Sequence, residues 1–330
     1  MNWIPGQVAL VLLALVFPLS LDATQPLFDT WLSYEVGNFP LVVIAADLDG
    51  DGDGDLVTAN RGYRWVQDDS TVSVLTNNGD GTFAPRVDYT AGYRPISVVA
   101  CDWDRDGDKD LAVTSEDGNL YLLFNDGNAV FNTKTAYFLG GDFLSSVFAG
   151  DLDGDEDPDA VVADYSGRKL YVLMNDGRGK LDVQAEYALS LAPTAVAAAD
   201  LDGDEDLDLA ATYETGEHKV FTLVNEGNGT FMFGGGYGAP AIGGRALYVS
   251  DLDGDGNPDL AVADSYDSTV SVLKNDGFGS FLEENSFRVG RNPYSVFASD
   301  VNGDGAFDLA VANAHEHSVS ILINNGNGSF

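Results

Sequence analysis

Residues 47–56 read DLDGDGDGDL and place five aspartates on alternate positions of one ten-residue stretch. Carboxylates at this spacing repel one another, and the stretch contains no basic residue that could offset the repulsion. The stretch is therefore either an acidic turn that faces water or a set of oxygen ligands for a hard cation.

Five more copies of this stretch follow, at intervals of 55, 49, 49, 51 and 49 residues. A fixed period near 50 residues is typical of propellers and solenoids, in which each repeat buries its apolar faces against its neighbours. We call the copies acidic loops 1 to 6 and number the positions in each loop from its first residue. They occupy residues 47–55, 102–110, 151–159, 200–208, 251–259 and 300–308.

An alternating apolar segment that ends in Asn-Asp-Gly or a close variant follows each acidic loop. These residues tolerate positive φ angles, so the segment predicts a β-hairpin, which we call the outer hairpin. Each unit therefore contains four predicted strands, and four short strands per repeat predict an all-β protein, a β-propeller of four-stranded blades. In the second unit the strands are Ile96–Cys101, Leu111–Ser115, Leu120–Asn125 and Thr135–Leu139.

The two ends of the chain predict how the ring closes. Residues 31–47 (WLSYEVGNFPLVVIAAD) align with residues 86–102 (RVDYTAGYRPISVVACD), so Leu32–Val36 is predicted to be an outer strand without a blade of its own. The last unit stops at Phe330, before its outer strand. We predict six blades closed by the N-terminal strand, a closure that also removes exposed sheet edges. The alternative is a fragment of a seven- or eight-bladed propeller.

The acidic loops carry oxygen atoms at regular positions. Positions 1, 3, 5 and 9 are Asp in every loop, apart from Asn302 at position 3 of loop 6. Position 7 varies and includes Asn257 and Ala306, so we expect it to contribute its backbone carbonyl. This oxygen-rich set matches Ca²⁺, whereas Mg²⁺ retains more water and Zn²⁺ prefers His and Cys.

We therefore predict up to six Ca²⁺ ions, one in each acidic loop. The predicted metal-binding residues are Asp47, Asp49, Asp51, Asp53 and Asp55; Asp102, Asp104, Asp106, Asp108 and Asp110; Asp151, Asp153, Asp155, Asp157 and Asp159; Asp200, Asp202, Asp204, Asp206 and Asp208; Asp251, Asp253, Asp255, Asn257 and Asp259; and Asp300, Asn302, Asp304, Ala306 and Asp308. Loop 6 has the fewest anionic ligands and is the least certain of the six sites.

The acidic loops depart from two known requirements. An EF-hand needs a Glu at position 12 and flanking helices, but here position 12 is Thr, Val or Ala within β-type runs. Position 6 is Gly in four loops but Glu156 and Glu205 in loops 3 and 4. A left-handed conformation costs a non-glycine residue about 1–2 kcal/mol, so we expect loops 3 and 4 to differ in shape.

The repeats resemble the FG-GAP repeats of integrin α-chain propellers and the related VCBS-type repeats of bacterial secreted proteins, over about residues 28–330. The resemblance implies that the metal lies in the hairpin between the first and second strands of each blade. It says little about the ligand, because propellers of this kind occur in adhesins, lectins, lyase-like enzymes and spacers.

Composition and the N-terminus indicate where the protein acts. The formal net charge is -37, which disfavours nucleic acid and anionic membranes as partners. The apolar run Val8–Phe17 is too short to span a bilayer and predicts a signal peptide over residues 1–23, with an uncleaved anchor or a buried strand as alternatives. We expect the mature propeller, residues 24–330, to be a monomer without a membrane span. Its predicted location is secreted, periplasmic or at the cell surface.

The face opposite the acidic loops carries basic and aromatic residues on the loops between second and third strands and on the links between blades. Arg and aromatic side chains on such loops are typical binding anchors, although they also solvate loops and pack against neighbouring blades. The candidate ligand-face residues are Arg61, Tyr63, Arg64, Trp65, Tyr93, Arg94, Tyr165, Arg168, Arg245 and Arg291. An acidic glycan or an acidic protein segment would suit this face.

These observations predict a calcium-stabilised binding or adhesion module and not an enzyme. The chain has three His residues and no Gly-x-Ser-x-Gly elbow, so a nucleophile–His–acid set is not expected. A polysaccharide lyase or hydrolase is one alternative, with Glu116, Glu214 and Glu217 as its carboxylates. A purely structural domain of a larger surface protein is the other.

Overall fold

The computed structural model describes residues 32–63, 70–216, 219–238 and 241–330, and all regular secondary structure in them is β. The strands form six consecutive antiparallel sheets, which confirms the prediction of six blades. The predicted signal peptide, residues 1–23, lies outside the described residues. The described residues contain no helix that is long and apolar enough to cross a membrane.

Each blade is an up-and-down meander built from neighbouring strands of the sequence. Blade 1 contains β1 (Pro40–Ala46), β2 (Asp55–Asn60), β3 (Thr71–Leu75) and β4 (Val87–Tyr89). Blade 2 contains β5 (Pro95–Cys101), β6 (Asp110–Ser115), β7 (Asn119–Asn125) and β8 (Phe131–Phe138). Blade 3 contains β9 (Leu144–Gly150), β10 (Asp159–Asp164), β11 (Lys169–Asn175) and β12 (Leu181–Ala188).

The second half of the ring repeats this order with two differences. Blade 4 contains β13 (Pro193–Ala199), β14 (Asp208–Tyr213), β16 (Val220–Asn225) and β17 (Phe231–Tyr237), and a separate two-residue ladder joins β15 (Thr215–Gly216) to β18 (Ala241–Ile242). Blade 5 contains β19 (Gly244–Ser250), β20 (Asp259–Asp264), β21 (Thr269–Lys274) and β22 (Glu283–Arg288). Blade 6 has three strands: β23 (Pro293–Ser299), β24 (Asp308–Asn313) and β25 (Ser318–Leu322).

The second strand of each blade explains why a lone blade could not fold. All six residues of β10 are buried, because one face of the strand lies against blade 2 and the other against blade 4. Ala160 and Val162 belong to the apolar cluster shared with blade 2, whereas Val161 and Ala163 belong to the cluster shared with blade 4. Burial on both faces accounts for the short runs of Ala, Val and Leu that follow the acidic loops.

Five hydrophobic clusters hold the ring together, one at each joint between consecutive blades from blade 1 to blade 6. A residue at position 2 of the acidic loop, such as Leu48 or Trp103, is fully buried at each of these joints. No sixth cluster joins blade 6 to blade 1 among the described residues. Here Val301, the position-2 residue of loop 6, is only half-buried, and Ile323 is 42% exposed.

The predicted outer strand Leu32–Val36 is not formed, and residues 36 and 37 instead bond to side chains of blade 1. Val36 O accepts a bond from Arg86 Nη1 at 2.6 Å, and Gly37 N donates to Ser73 Oγ at 3.1 Å. The segment nevertheless lies where an outer strand of blade 6 would end. The ring of Tyr34 packs edge-on against Phe83 at 5.3 Å.

The Tyr34–Phe83 contact repeats a contact seen at other joints. In each case an aromatic residue of the fourth strand packs edge-on against the Phe that ends the outer hairpin of the next blade. The equivalent pairs are Tyr89–Phe131, Tyr187–Phe231, Tyr237–Phe281 and Phe287–Phe330. The sequence alignment therefore placed Tyr34 correctly, although the strand around it is not formed.

Candidate metal loops and the opposite face

Each acidic loop curls around its own first aspartate. In loop 1, Asp47 Oδ1 accepts a bond from Gly50 N at 2.9 Å and Asp47 Oδ2 accepts one from Gly52 N at 3.1 Å. Asp51 Oδ1 accepts a bond from Asp53 N at 2.9 Å. These bonds hold the loop closed and turn several carboxylates toward its centre.

The expectation that loops 3 and 4 differ in shape is wrong. Glu156 and Glu205 adopt left-handed conformations, with φ of 68° and 75°, as the glycines do at the same position. Glu156 N donates to Asp151 Oδ2 at 2.9 Å, which is the bond that Gly52 makes in loop 1. The closed loop therefore outweighs the local cost of a left-handed glutamate.

The carboxylates at positions 1, 3 and 9 converge in the first four loops. In each loop one oxygen atom from each of these residues lies within 4.8 Å of the others. In loop 5 the converging residues are Asp251, Asp253 and Asp255, at positions 1, 3 and 5. In loop 6, Asn302 Nδ2 donates to Asp304 Oδ2 at 2.9 Å, so an amide takes the place of one carboxylate. The triads of the first four loops are Asp47, Asp49 and Asp55; Asp102, Asp104 and Asp110; Asp151, Asp153 and Asp159; and Asp200, Asp202 and Asp208.

The position-9 aspartate also anchors the fold. Asp110 is fully buried; its Oδ2 accepts a bond from Trp103 N at 3.1 Å and its Oδ1 accepts one from Asn125 N at 2.7 Å. Burial raises the pKa of Asp110 to about 7 and the pKa of Asp159 to about 6. A cation held beside these carboxylates would favour their ionised form.

The first residue of the outer hairpin is a functional residue that sequence reasoning missed. Asn125 Nδ2 donates to Leu48 O in loop 1 at 2.7 Å and to Lys109 O in its own loop at 3.0 Å. In blades 2 to 6 this Asn therefore ties the acidic loop of its own blade to the loop of the preceding blade. The signal in the sequence is that Asn occupies this position in all six units, at residues 77, 125, 175, 225, 275 and 324.

The position-7 side chains lie outside the carboxylate triads of the first four loops. They point at the glycine of the outer hairpin; a Cβ on Gly127, for example, would lie 2.6 Å from Asp108 Oδ2. In loop 3 the position-7 residue Asp157 is paired with Arg105 of loop 2. That position 7 offers its backbone carbonyl to an ion stays a prediction.

Four carboxylate oxygens test whether the loops fit a metal ion. They are buried, and within the described residues they have no hydrogen-bond partner: Asp102 Oδ1, Asp104 Oδ1, Asp153 Oδ1 and Asp202 Oδ1. Burying an unpaired carboxylate oxygen is costly, so a folded chain rarely keeps one without a partner. All four belong to positions 1 and 3 of loops 2, 3 and 4, and the residues present therefore fit a bound cation.

On the opposite face, Arg61 and Arg94 are not open ligand anchors. Both are buried and both pair with Glu116: Arg61 Nε lies 2.7 Å from Glu116 Oε1, and Arg94 Nε lies 2.8 Å from Glu116 Oε2. The Arg61 guanidinium also lies 5.7 Å from the centre of the Phe143 ring. These side chains link blade 1, blade 2 and the start of blade 3, which corrects their placement on an accessible surface.

Tyr165 and Arg245 stand at the mouth of the central channel. Residues from the inner strands of all six blades line a cavity of about 220 Å³ there. Tyr165 Oη donates to Glu214, and burial together with this bond raises the pKa of Tyr165 to about 12. The Arg245 guanidinium lies 5.2 Å from the centre of the Tyr294 ring.

The remaining ligand-face candidates are scattered around the rim. Tyr63 and Tyr93 are 50% and 37% exposed, and Arg168 is exposed. Arg291 is exposed, with its Nε 3.9 Å from Glu316. Arg64 and Trp65 lie outside the described residues, as does Glu217.

The comparisons with known proteins agree with this architecture. Residues 47–113, 102–162, 151–211 and 251–311 match the FG-GAP-like repeat. These segments cover more than half of the chain, and the chain belongs to the FG-GAP-like repeat family. No curated protein matches it.

Solved structures of similar fold include two described as BBS1N in complex with ARL6DN. One, soaked with lead, has a TM-score of 0.60 and 14% identity, over 88% of this chain and 83% of that chain. The other, soaked with mercury, has a TM-score of 0.58 and 12% identity, over 88% of this chain and 84% of that chain. At these identities the likeness concerns the fold alone.

Proposed function

We propose that this protein is a calcium-stabilised β-propeller that binds a protein ligand outside the cytoplasm. The observation that carries the calcium part is the set of buried, unpartnered carboxylate oxygens in loops 2, 3 and 4. Ca²⁺ accepts six to eight oxygen ligands in flexible geometry, which suits loops that offer side-chain carboxylates and backbone carbonyls together. In this proposal the ions are structural: they would neutralise carboxylates that repel one another in the closed loop.

The binding role rests on the rigid ring and on the rim of the opposite face. Tyr63 and Tyr93 expose aromatic surface there, and Arg168 is also exposed on this face. The similar solved structures are described as a complex of BBS1N with ARL6DN, so a protein of this fold binds another protein. This favours a protein ligand, with an acidic glycan as the alternative.

The rival enzymatic role is less well supported. Glu116 is held by two arginines, and Glu214 accepts bonds from Tyr165 and Tyr266. Carboxylates held in this way serve the packing of neighbouring blades, and we propose that the protein is a binding module and not a hydrolase or lyase.

The predicted signal peptide supports a location where calcium is abundant.

Thermal unfolding of residues 24–330 in calcium and in excess chelator tests the calcium role. At a calcium concentration 100 times Kd, each occupied site stabilises the fold by about 2.7 kcal/mol. For a domain of this size we expect calcium to raise Tm by at least about 5 °C. In the double variant D153N/D202N, calcium should raise Tm by less than in the unmodified protein, because loops 3 and 4 each lose one carboxylate. If the chelator leaves Tm unchanged, the calcium role is wrong and the acidic loops are solvated turns.

A further inference from the structure

Lys274 brings a positive charge into acidic loop 5. It is the last residue of β21, and its Nζ lies 3.0 Å from Oδ2 of Asp253, the carboxylate at position 3 of the loop. The Lys274 and Asp253 side chains are 22% and 16% exposed, so water screens this ion pair less than it screens a surface pair. Nζ also donates to Asn327 O, in the outer hairpin of blade 6, at 2.7 Å.

The neighbouring hairpin leaves room for this lysine. Gly328 has a φ of 70°, and a Cβ at that position would lie 2.9 Å from Lys274 Cε. The residues directly before the Asn of the outer hairpin in the other blades are uncharged: Thr76, Phe124, Met174, Val224 and Ile323. The lysine is therefore a feature of blade 5 and not of the repeat.

The effect of Lys274 is visible when position 3 is compared between loops. In loops 2, 3 and 4 one position-3 oxygen is buried without a partner, at Asp104, Asp153 and Asp202. In loop 5 the equivalent carboxylate of Asp253 is already paired with an ammonium group. Among the described residues Arg105 also pairs with an acidic loop, but its partner is the position-7 side chain of Asp157, outside the triad.

We propose that Lys274 is a tethered cation that competes with Ca²⁺ for Asp253 and makes loop 5 a weak site beside loops 2, 3 and 4. An ammonium group on Asp253 cancels part of the negative charge that attracts a divalent ion. Lys274 holds Oδ2 of Asp253 and Oδ1 accepts a bond from Asp255 N at 3.3 Å, so an ion that takes both oxygens must displace the ammonium group. The inference rests on the proposed calcium role and adds that the sites are unequal, for a reason found in one residue.

Calorimetric titration of the chelator-treated protein with CaCl₂ tests this competition. The variants are K274M and K274T, which install the residues that blades 3 and 1 carry at this position. We expect one site to tighten by about tenfold in both variants, because one positive charge is removed a few ångströms from the ligands. Melting curves in chelator check that each variant is folded.

Two controls separate a local effect from a general change in charge. K134M removes a positive charge from β8, where Lys134 Nζ contacts only the oxygens of Thr90 among the described hydrogen bonds, and it should leave the titration unchanged. In a D253N background the gain from K274M should vanish. A gain that persists in D253N, or one that K134M reproduces, would overturn the competition.

The titration also separates this inference from the proposed function. If the unmodified protein binds calcium and both Lys274 variants have the same titration curve as the unmodified protein, the proposed role of Lys274 is wrong and the calcium role stands. If the unmodified protein and all variants bind no calcium, both are wrong.

Discussion

The asparagine that opens each outer hairpin shows how much one side chain contributes to this ring. Asn175 Nδ2 donates to Trp103 O in the preceding acidic loop at 2.8 Å and to Pro158 O in its own loop at 3.1 Å. Asn225, Asn275 and the other equivalents repeat both bonds, except that Asn77 Nδ2 in blade 1 donates, among the described residues, only to Gly54 O of its own loop. The bond that Asn77 lacks there is the one that would reach loop 6.

This difference gives a prediction at the scale of one residue. Asn275→Ala removes two bonds from its Nδ2 to backbone carbonyls, one of them in the preceding blade, and one bond from Gly277 N, so we expect a loss of about 3 kcal/mol in the free energy of unfolding. Asn77→Ala removes the bond to Gly54 O and the equivalent bond from Gly79 N, and should cost about 2 kcal/mol. Urea unfolding in saturating calcium measures both. Equal losses would mean that the bond between blades adds nothing.

Individual residues also show what sequence reasoning could reach. The aspartates at positions 1 and 3 come together as predicted, because alternate residues of a tight loop face one centre. The burial of Arg61 and Arg94 could not be predicted in this way, since their partner Glu116 comes from a different part of the fold and is far from Arg61 in sequence. Pairing between distant residues leaves no periodic signal in the chain.

At the scale of the element, the sequence predicts strands best where a strand is buried on both faces. The predicted strands Ile96–Cys101 and Leu111–Ser115 agree with β5 and β6 to within one residue at each end. The fourth strand of blade 2 was predicted to start at Thr135 but begins at Phe131, because exposed residues of an outer strand carry no apolar alternation. Leu32–Val36 is not a strand although it aligns with β4, and its Val36 carbonyl accepts a bond from the side chain of Arg86, which the alignment does not reveal.

The N-terminal segment around Tyr34 can be tested by removing the contact between Tyr34 and Phe83. Tyr34→Ala removes an edge-on contact with Phe83 and the bond that Tyr34 Oη accepts from Phe83 N at 3.2 Å. We expect a loss of about 1–2 kcal/mol and faster hydrogen exchange at the Phe83 amide. Phe138→Ala is the matched control, because Phe138 is 73% exposed and its loss should change stability by less than about 0.5 kcal/mol. No change at the Phe83 amide would argue against a fixed N-terminal segment.

For the whole molecule, net charge is the dominant electrostatic fact. A chain of formal charge -37 repels itself in the compact state, and calcium would relieve part of that repulsion. In chelator we expect Tm to rise by several degrees when NaCl is increased from about 20 mM to about 500 mM, because salt screens exposed charges. In saturating calcium the same increase in salt should have a smaller effect. Scanning calorimetry under the four conditions checks this, and a larger salt effect in calcium would contradict it.

Within the part of the chain that the structure describes, five hydrophobic clusters join the blades in sequence and none joins blade 6 to blade 1, so we treat the ring as a stack with two end blades. In such a stack each unit is stabilised mainly by its neighbours, so the end units have least support. Opening should therefore begin where blade 6 meets blade 1 and travel inward from both sides, with blades 3 and 4 last to exchange their amide hydrogens. Hydrogen exchange followed by mass spectrometry would give this order directly, and uniform exchange around the ring would contradict it. Under a pulling force applied to the two ends of the chain, unfolding should therefore start at the junction of blade 6 and blade 1 and proceed one blade at a time.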